Sequence, residues 1–130
     1  MKTTLHHFAY NITPGSLEFV MEVFEKMGCH LVFRRGNERW CMLRQDGIPV
    51  SIQIIETDDL PVGPLEKKIN THIALVSDDP RGDINEIEKL CKDRKVEFAR
   101  GQWTDREPWF DLPEMFTNFV IEIMHTSVVE

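Results

Sequence analysis

Long apolar runs are missing from this chain: no stretch approaches the ~20 residues that a membrane helix needs, so a helical membrane span is excluded. Cysteine is scarce, three residues in 130, and an odd number cannot all pair within one chain. The first residues, MKTTLHHFAYNI, carry one lysine and no apolar core ending in small residues, so they do not read as a secretory signal. Reduced thiols and a cytoplasmic location are therefore expected. Basic residues are outnumbered 15 to 22 by acidic ones, a net charge of -7. A nucleic-acid surface needs clustered Lys and Arg, so no nucleic-acid partner is expected, and no membrane partner either. Phosphate-binding glycine loops, dinucleotide glycine patterns and Cys-x-x-Cys zinc pairs are absent, and no Ser-His-Asp or Cys-His arrangement emerges from the spacing.

What is present is enough apolar surface, 42% of residues, to bury the core of one domain spanning 1–130. The chain also repeats itself. Thr4 to Ile12 reads as a strand stopped by Thr13-Pro14-Gly15, and 70–77, NTHIALVS, reads as another stopped by Asp78-Asp79-Pro80. His7 and His72 are 72 − 7 = 65 residues apart, and Phe33-Arg34-Arg35-Gly36 matches Phe98-Ala99-Arg100-Gly101 at the same offset. After each strand comes a helical stripe: Leu17, Met21, Phe24 and Met27 in the first half, Ile84, Ile87, Leu90 and Cys91 in the second. Three strands should follow in the first half, Cys29–Arg35, Glu38–Arg44 and Ile48–Glu56, with hairpin signals at Gly36-Asn37 and Asp46-Gly47. The second half offers Val96–Arg100, an irregular segment holding a seventh strand, and Asn118–Met124. The expected fold is α+β: two βαβββ modules, 4–56 and 70–126, joined by a linker at 57–68, with mixed sheets curled around a cleft.

Four polar residues stand out on these strands. Glu122 lies between Ile121 and Ile123, and Gln53 between Ile52 and Ile54. Burying such groups without partners would cost roughly 1–3 kcal/mol or more each. Each half thus puts a His on its first strand, His7 or His72, and Gln53 or Glu122 on its last. Two imidazoles, a carboxylate and an amide oxygen suit one divalent ion such as Zn, Ni, Co, Mn or Fe, with two positions left for substrate oxygens. Other readings stay open. Gln53 could hydrogen-bond to a neighbour, and Glu122 could pair with an arginine. Trp103, Trp109 and Phe110 could wall a substrate pocket, form a dimer contact or simply pack, and Trp40 and Met42 could line the pocket or the core. Arg34 and Arg35 could hold an anionic substrate or stand in solvent. His6 should face away from His7, and His30 and His125 should be solvated.

In LHHFAYNI, NTHIALVSDD, VSIQIIET and NFVIEIM, taken in βαβββ order, the chain resembles the vicinal oxygen chelate superfamily over about residues 4 to 125. That group includes glyoxalase I, extradiol dioxygenases, methylmalonyl-CoA epimerase, fosfomycin-resistance transferases and bleomycin-resistance proteins. The resemblance implies metal ligands at His7, Gln53, His72 and Glu122, with Glu122 or Gln53 near the transferred proton, and it implies a homodimer, with modules exchanged or not. It implies a glyoxalase-like metal-dependent enzyme that chelates a small oxygen-bearing substrate for isomerase or lyase chemistry. The alternatives are a metal-free binding protein of the bleomycin-resistance type and an extradiol-type dioxygenase. There are departures: Trp40 stands where the epimerase pattern has a further glutamate, the turn 112–118 has no glycine, and Tyr10 is the only tyrosine.

Overall fold

The computed structural model describes residues 1–129, and contacts divide the chain into two units, Met1–Leu60 and Pro61–Glu130. In the first unit β1 (His7–Ile12) runs into α1 (Leu17–Lys26), then β2 (Cys29–Phe33), β3 (Trp40–Gln45) and β4 (Ser51–Glu56). In the second, a short helix α2 (Leu65–Lys68) precedes β5 (His72–Ser77), α3 (Pro80–Asp93), β6 (Ala99–Gln102), β7 (Pro108–Asp111) and β8 (Val120–His125). The sheets have one plan. The first is ordered β1-β4-β3-β2 and the second β5-β8-β7-β6, with the outer pairs β1/β4 and β5/β8 parallel and the others antiparallel. Both are mixed four-stranded sheets, as the βαβββ reading expects.

Each sheet buries one face under its helix. Leu17, Val20, Met21, Val23 and Phe24 of α1 are buried with Cys41, Leu43 and Ile54 of the strands. Ile84, Ile87 and Cys91 of α3 are buried, as are Phe110, Ile121 and Ile123 of the strands. Each fully buried side chain of this size stabilises by about 1.5–3 kcal/mol. Met27, expected on the α1 stripe, caps the helix C-terminus instead, and Leu90 is only half-buried. The two helices start differently. Asp79 caps α3 locally, accepting from the Gly82 N–H at 3.2 Å, with Pro80 beginning the first turn. The first turn of α1 is capped from the far end of the module, where Glu56 Oε2 accepts from the Leu17 N–H at 3.0 Å.

The repeat is real but its arithmetic differs along the chain. His7 pairs with Ser51 and Ala9 with Gln53, while His72 pairs with Val120 and Ala74 with Glu122. Those positions are structurally equivalent. Phe33 and Phe98 are not: Phe33 ends β2 opposite Met42, whereas Phe98 precedes β6, and Gly101 stands opposite Trp109 in its place. The offset has already grown to 99 − 30 = 69 at His30 and Ala99, which face the equivalent Arg44 and Asp111, and a register shift between Leu31 and Phe33 changes it by one residue. The linker stretch 57–68 contains α2. No helix among the described residues is long and apolar enough to cross a membrane.

Candidate functional site

Directly paired residues share a sheet face, and successive residues alternate. On the face of the second sheet turned away from α3, Glu122 sits between Ala74 and Trp109 in the register, with His72 beside Val120 one step along. Glu122 is 5% exposed. His72 Nε2 lies 3.8 Å from Glu122 Oε1. The other ring nitrogen, Nδ1, donates to the Ile69 carbonyl at 3.2 Å. This bond puts the proton of a neutral imidazole on Nδ1 and turns Nε2 toward the carboxylate. Burial raises the Glu122 pKa, opposed by His72 and reinforced by the carboxylate of Glu107.

Aromatic rings flank this pair, whose imidazole stays exposed to solvent while the carboxylate is buried. His72 and Trp103 have ring centroids 4.9 Å apart, and Trp103 and Trp109 6.2 Å apart. Trp109 lies over Gly101, where an added Cβ would stand 2.4 Å from its ring. Only glycine leaves room for the indole there. Phe110 belongs elsewhere. It is fully buried on the opposite face, stacked on Phe98 with centroids 5.7 Å apart, so it packs core rather than pocket.

In the first sheet, His7 and Gln53 share the corresponding face with Ser51, Met42 and Trp40. Gln53 is half-buried and His7 exposed. Trp40 stacks on Phe33 with centroids 5.5 Å apart, and Met42 pairs with Gln53. His6 does not diverge from His7 as strand alternation would have it. It precedes β1, and the two Nδ1 atoms are 2.9 Å apart in a shared hydrogen bond. Arg34 is held by Glu18, and Arg35 lies 3.6 Å from Glu38. Burial pushes Cys29, Cys41 and Cys91 up to about 11 each, which keeps all three as inert thiols.

The structure therefore joins His72 to Glu122 within one unit and sets His7 and Gln53 on one face within the other. Among the described residues no group of three or more His, Cys, Asp or Glu gathers as a metal-holding cluster. The chemistry of the donors nonetheless fits a divalent ion at two positions: imidazole Nε2 and a buried carboxylate oxygen face each other, and the imidazole is anchored through its second nitrogen as metal-bound histidines usually are.

Sequence reasoning missed a second polar pair on this face. Lys68 of α2 and Asp111 of β7 are both buried, with Lys68 Nζ 2.8 Å from Asp111 Oδ1 and 3.1 Å from Oδ2. Burial raises the Asp111 pKa even against the pull of Lys68. A lysine among the prolines and charges of a linker gives no sign of burial.

No family model and no curated protein matches the sequence. Solved structures do match. A FosX fosfomycin-resistance protein of Listeria monocytogenes, solved with Mn(II) and 1S,2S-dihydroxypropylphosphonic acid, aligns at a TM-score of 0.58 and 18% identity over 95% of this chain and 93% of its own. Lactoylglutathione lyase of Agrobacterium tumefaciens aligns at 0.55 and 11% over 98% and 97%. TnmS3, an antibiotic-binding protein of Streptomyces sp. CB03234, aligns at 0.57 and 16% over 95% and 96%. These likenesses show the fold: two modules of mixed four-stranded sheets with helices, the glyoxalase/bleomycin-resistance-like arrangement.

Proposed function

We propose that this protein is a glyoxalase-like, metal-dependent enzyme of isomerase or lyase type acting on a small oxygen-bearing substrate. His72 and Glu122, with His7 and Gln53 from a first module, would hold one divalent ion. The observation that carries this reading is the His72–Glu122 pair: imidazole Nε2 and a carboxylate oxygen 3.8 Å apart, with the imidazole tied back to Ile69. The Mn(II) bound by the FosX neighbour supports it. When bound, such an ion polarises a substrate oxygen and stabilises negative charge developing there.

The remaining work falls to side chains. Ile69 holds the His72 ring in one tautomer, so Nε2 stays available as a donor atom. Trp103 and Trp109 would wall one side of the site, Trp103 beside the His72 ring and Trp109 beside Glu122 in the register. Glu122 is the only carboxylate of the four, and its raised pKa suits it to hold a proton taken from the substrate. Gln53 would be the neutral and most displaceable of the four holding residues. A homodimer is part of the proposal, supported by exposed Phe8, Leu31, Phe33 and Val76 on the strands. So is a cytoplasmic location, supported by three buried free thiols.

The test is calorimetric titration of Zn, Ni, Co and Mn into metal-stripped wild type and the His7→Ala and Glu122→Gln variants. The proposal expects binding by wild type and marked weakening in both variants. Equal binding by all three, or none by wild type, would leave the metal-free binding protein, which the antibiotic-binding neighbour and the aromatic rings beside His72 favour.

A further inference from the structure

The register draws a line of polar residues straight across the first sheet. His7 of β1 pairs with Ser51 of β4. The Ser51 hydroxyl accepts from Arg44 Nε at 3.1 Å and from Nη2 at 3.0 Å. Arg44 of β3 pairs with His30 of β2. The four side chains stand in order on one face, with neighbouring strands about 4.8 Å apart. That face also carries Gln53.

The repeat supplies an internal control. In the second sheet the equivalent line reads His72, Val120, Asp111, Ala99, since Asp111 lies two residues beyond Trp109 as Arg44 lies two beyond Met42. Both modules therefore place a charge at the same point. In the second module the charge is met internally, with Lys68 Nζ 2.8 Å from Asp111 Oδ1. In the first module Arg44 is half-buried, its partner is a neutral hydroxyl, and no carboxylate among the described residues pairs with it. Carboxylates are not in short supply in a chain with 22 of them. A guanidinium so placed is costly without a counter-charge, and its planar fork suits an oxyanion.

The surroundings are built to receive one. Ser51 is fully buried and takes two of the guanidinium N–H groups, which fixes the plane of the fork and leaves the others free. A cavity of about 370 Å³ opens beside it, lined by His30, Arg44, Asp46 and the Gly47–Pro49 turn. The one acid there, Asp46, is 98% exposed in its side chain and lies 3.2 Å from the His30 ring. Because Arg44 reaches across to Ser51, its head group sits on the strand next to His7.

We propose that Arg44 is the anion anchor for the substrate, taking a carboxylate or phosphate-type group a few bonds from the oxygens held at the His7 end of the line. The inference rests on the reading of this face as the substrate face, and it narrows the substrate to an anionic one. His30 adds a second donor, and Ser51 is the positioning residue that aims the fork.

The experiment uses metal-stripped full-length protein titrated with inorganic phosphate and, separately, with acetate, followed by heteronuclear NMR shifts. Wild type should bind at least one of them. Arg44→Gln should weaken that binding about tenfold or more, Arg44→Lys should restore part of it, and Ser51→Ala should weaken it with the charge intact. His7→Ala should leave anion binding unchanged while it weakens metal binding, so the two readings fail separately. Arg81→Gln, at the other module's surface, should change nothing. Stronger binding of phosphate or of acetate identifies the oxyanion. Equal anion affinity in wild type, Arg44→Gln and Ser51→Ala, or no binding by wild type, would overturn the proposal.

Discussion

The two modules share one strand plan and differ in how they satisfy it. Across equivalent positions the first reads Ala9, Gln53, Met42, Phe33 and the second Ala74, Glu122, Trp109, Gly101. Amide is exchanged for carboxylate, and the bulk moves from the edge strand to its neighbour. Along the next line a cation held by serine in the first module stands where the second has an acid locked to lysine. A duplicated fold keeps its backbone hydrogen bonds and its helix-facing apolar residues. The opposite face is where the copies are free to diverge, and there the second module is filled and neutralised while the first is left polar and open.

The largest test of that contrast is the charge on each line. Lys68→Met strands the Asp111 carboxylate in the interior and should cost about 3–5 kcal/mol, read by urea denaturation. The double variant Lys68→Met with Asp111→Leu should recover most of it. Arg44→Met should cost less, about 1–2 kcal/mol, because it breaks two hydrogen bonds to the buried Ser51 hydroxyl but no ion pair. Comparable losses in the two modules would mean that the first is not the open one.

Next comes the exchange of amide for carboxylate. Glu122→Gln removes the only charged donor of the four and should weaken divalent-ion binding by roughly 10- to 100-fold, while Gln53→Glu should tighten it about tenfold. Calorimetric titration measures both. If Gln53→Glu changes nothing, the first module contributes His7 without its amide.

The exchange of bulk gives a smaller effect. Gly101→Ala drives a methyl into the Trp109 ring and should cost about 1–3 kcal/mol, with a shift in tryptophan fluorescence. Phe33→Ala, at the equivalent position, removes a side chain that is 42% exposed and should cost less.

Much of this was legible beforehand. Alternation set Gln53 and Glu122 apart because each interrupts a run of isoleucines, and His7 and His72 were found by a common offset. The lines of side chains across each sheet were not legible, because they depend on strand register. The offset between the modules is 72 − 7 = 65 at β1 and β5 but 99 − 30 = 69 at β2 and β6, less one residue past the irregularity at Leu31–Phe33, so Gly101, not Phe98, is the counterpart of Phe33. The Lys68–Asp111 pair was hidden for a different reason: its members lie 111 − 68 = 43 residues apart, and neither interrupts an apolar strand as Gln53 and Glu122 do. Phe110 misled because it neighbours Trp109 in sequence and opposes it across the sheet. The cap on α1 was equally hidden, since its donor turn and Glu56 are brought together only when β4 pairs with β1.

That cap supplies the smallest test, in which the modules should answer acid with opposite signs. Burial pushes the Glu56 carboxyl up, but the N–H groups of Gly15 and Leu17 and the Arg39 guanidinium outweigh it, and the pKa ends lowered. A lowered carboxylate stabilises the fold above the ordinary carboxylate range and loses that contribution as pH falls through its own value. Wild type should therefore exceed Glu56→Gln in stability by about 1 kcal/mol near neutrality, and the gap should close on acidification. Glu122 is raised, chiefly by burial. Its charged form costs stability in metal-free protein, so wild type should fall below Glu122→Gln as pH rises through the raised value, and that gap too should close in acid. Urea denaturation of metal-free wild type and both variants from neutral to acidic pH reads the two signs directly. A Glu122→Gln variant less stable than wild type at neutral pH would mean that His72 already satisfies the carboxylate and no cation is wanted there. The same sign at Glu56 and Glu122 would then remove the electrostatic half of the contrast between the modules.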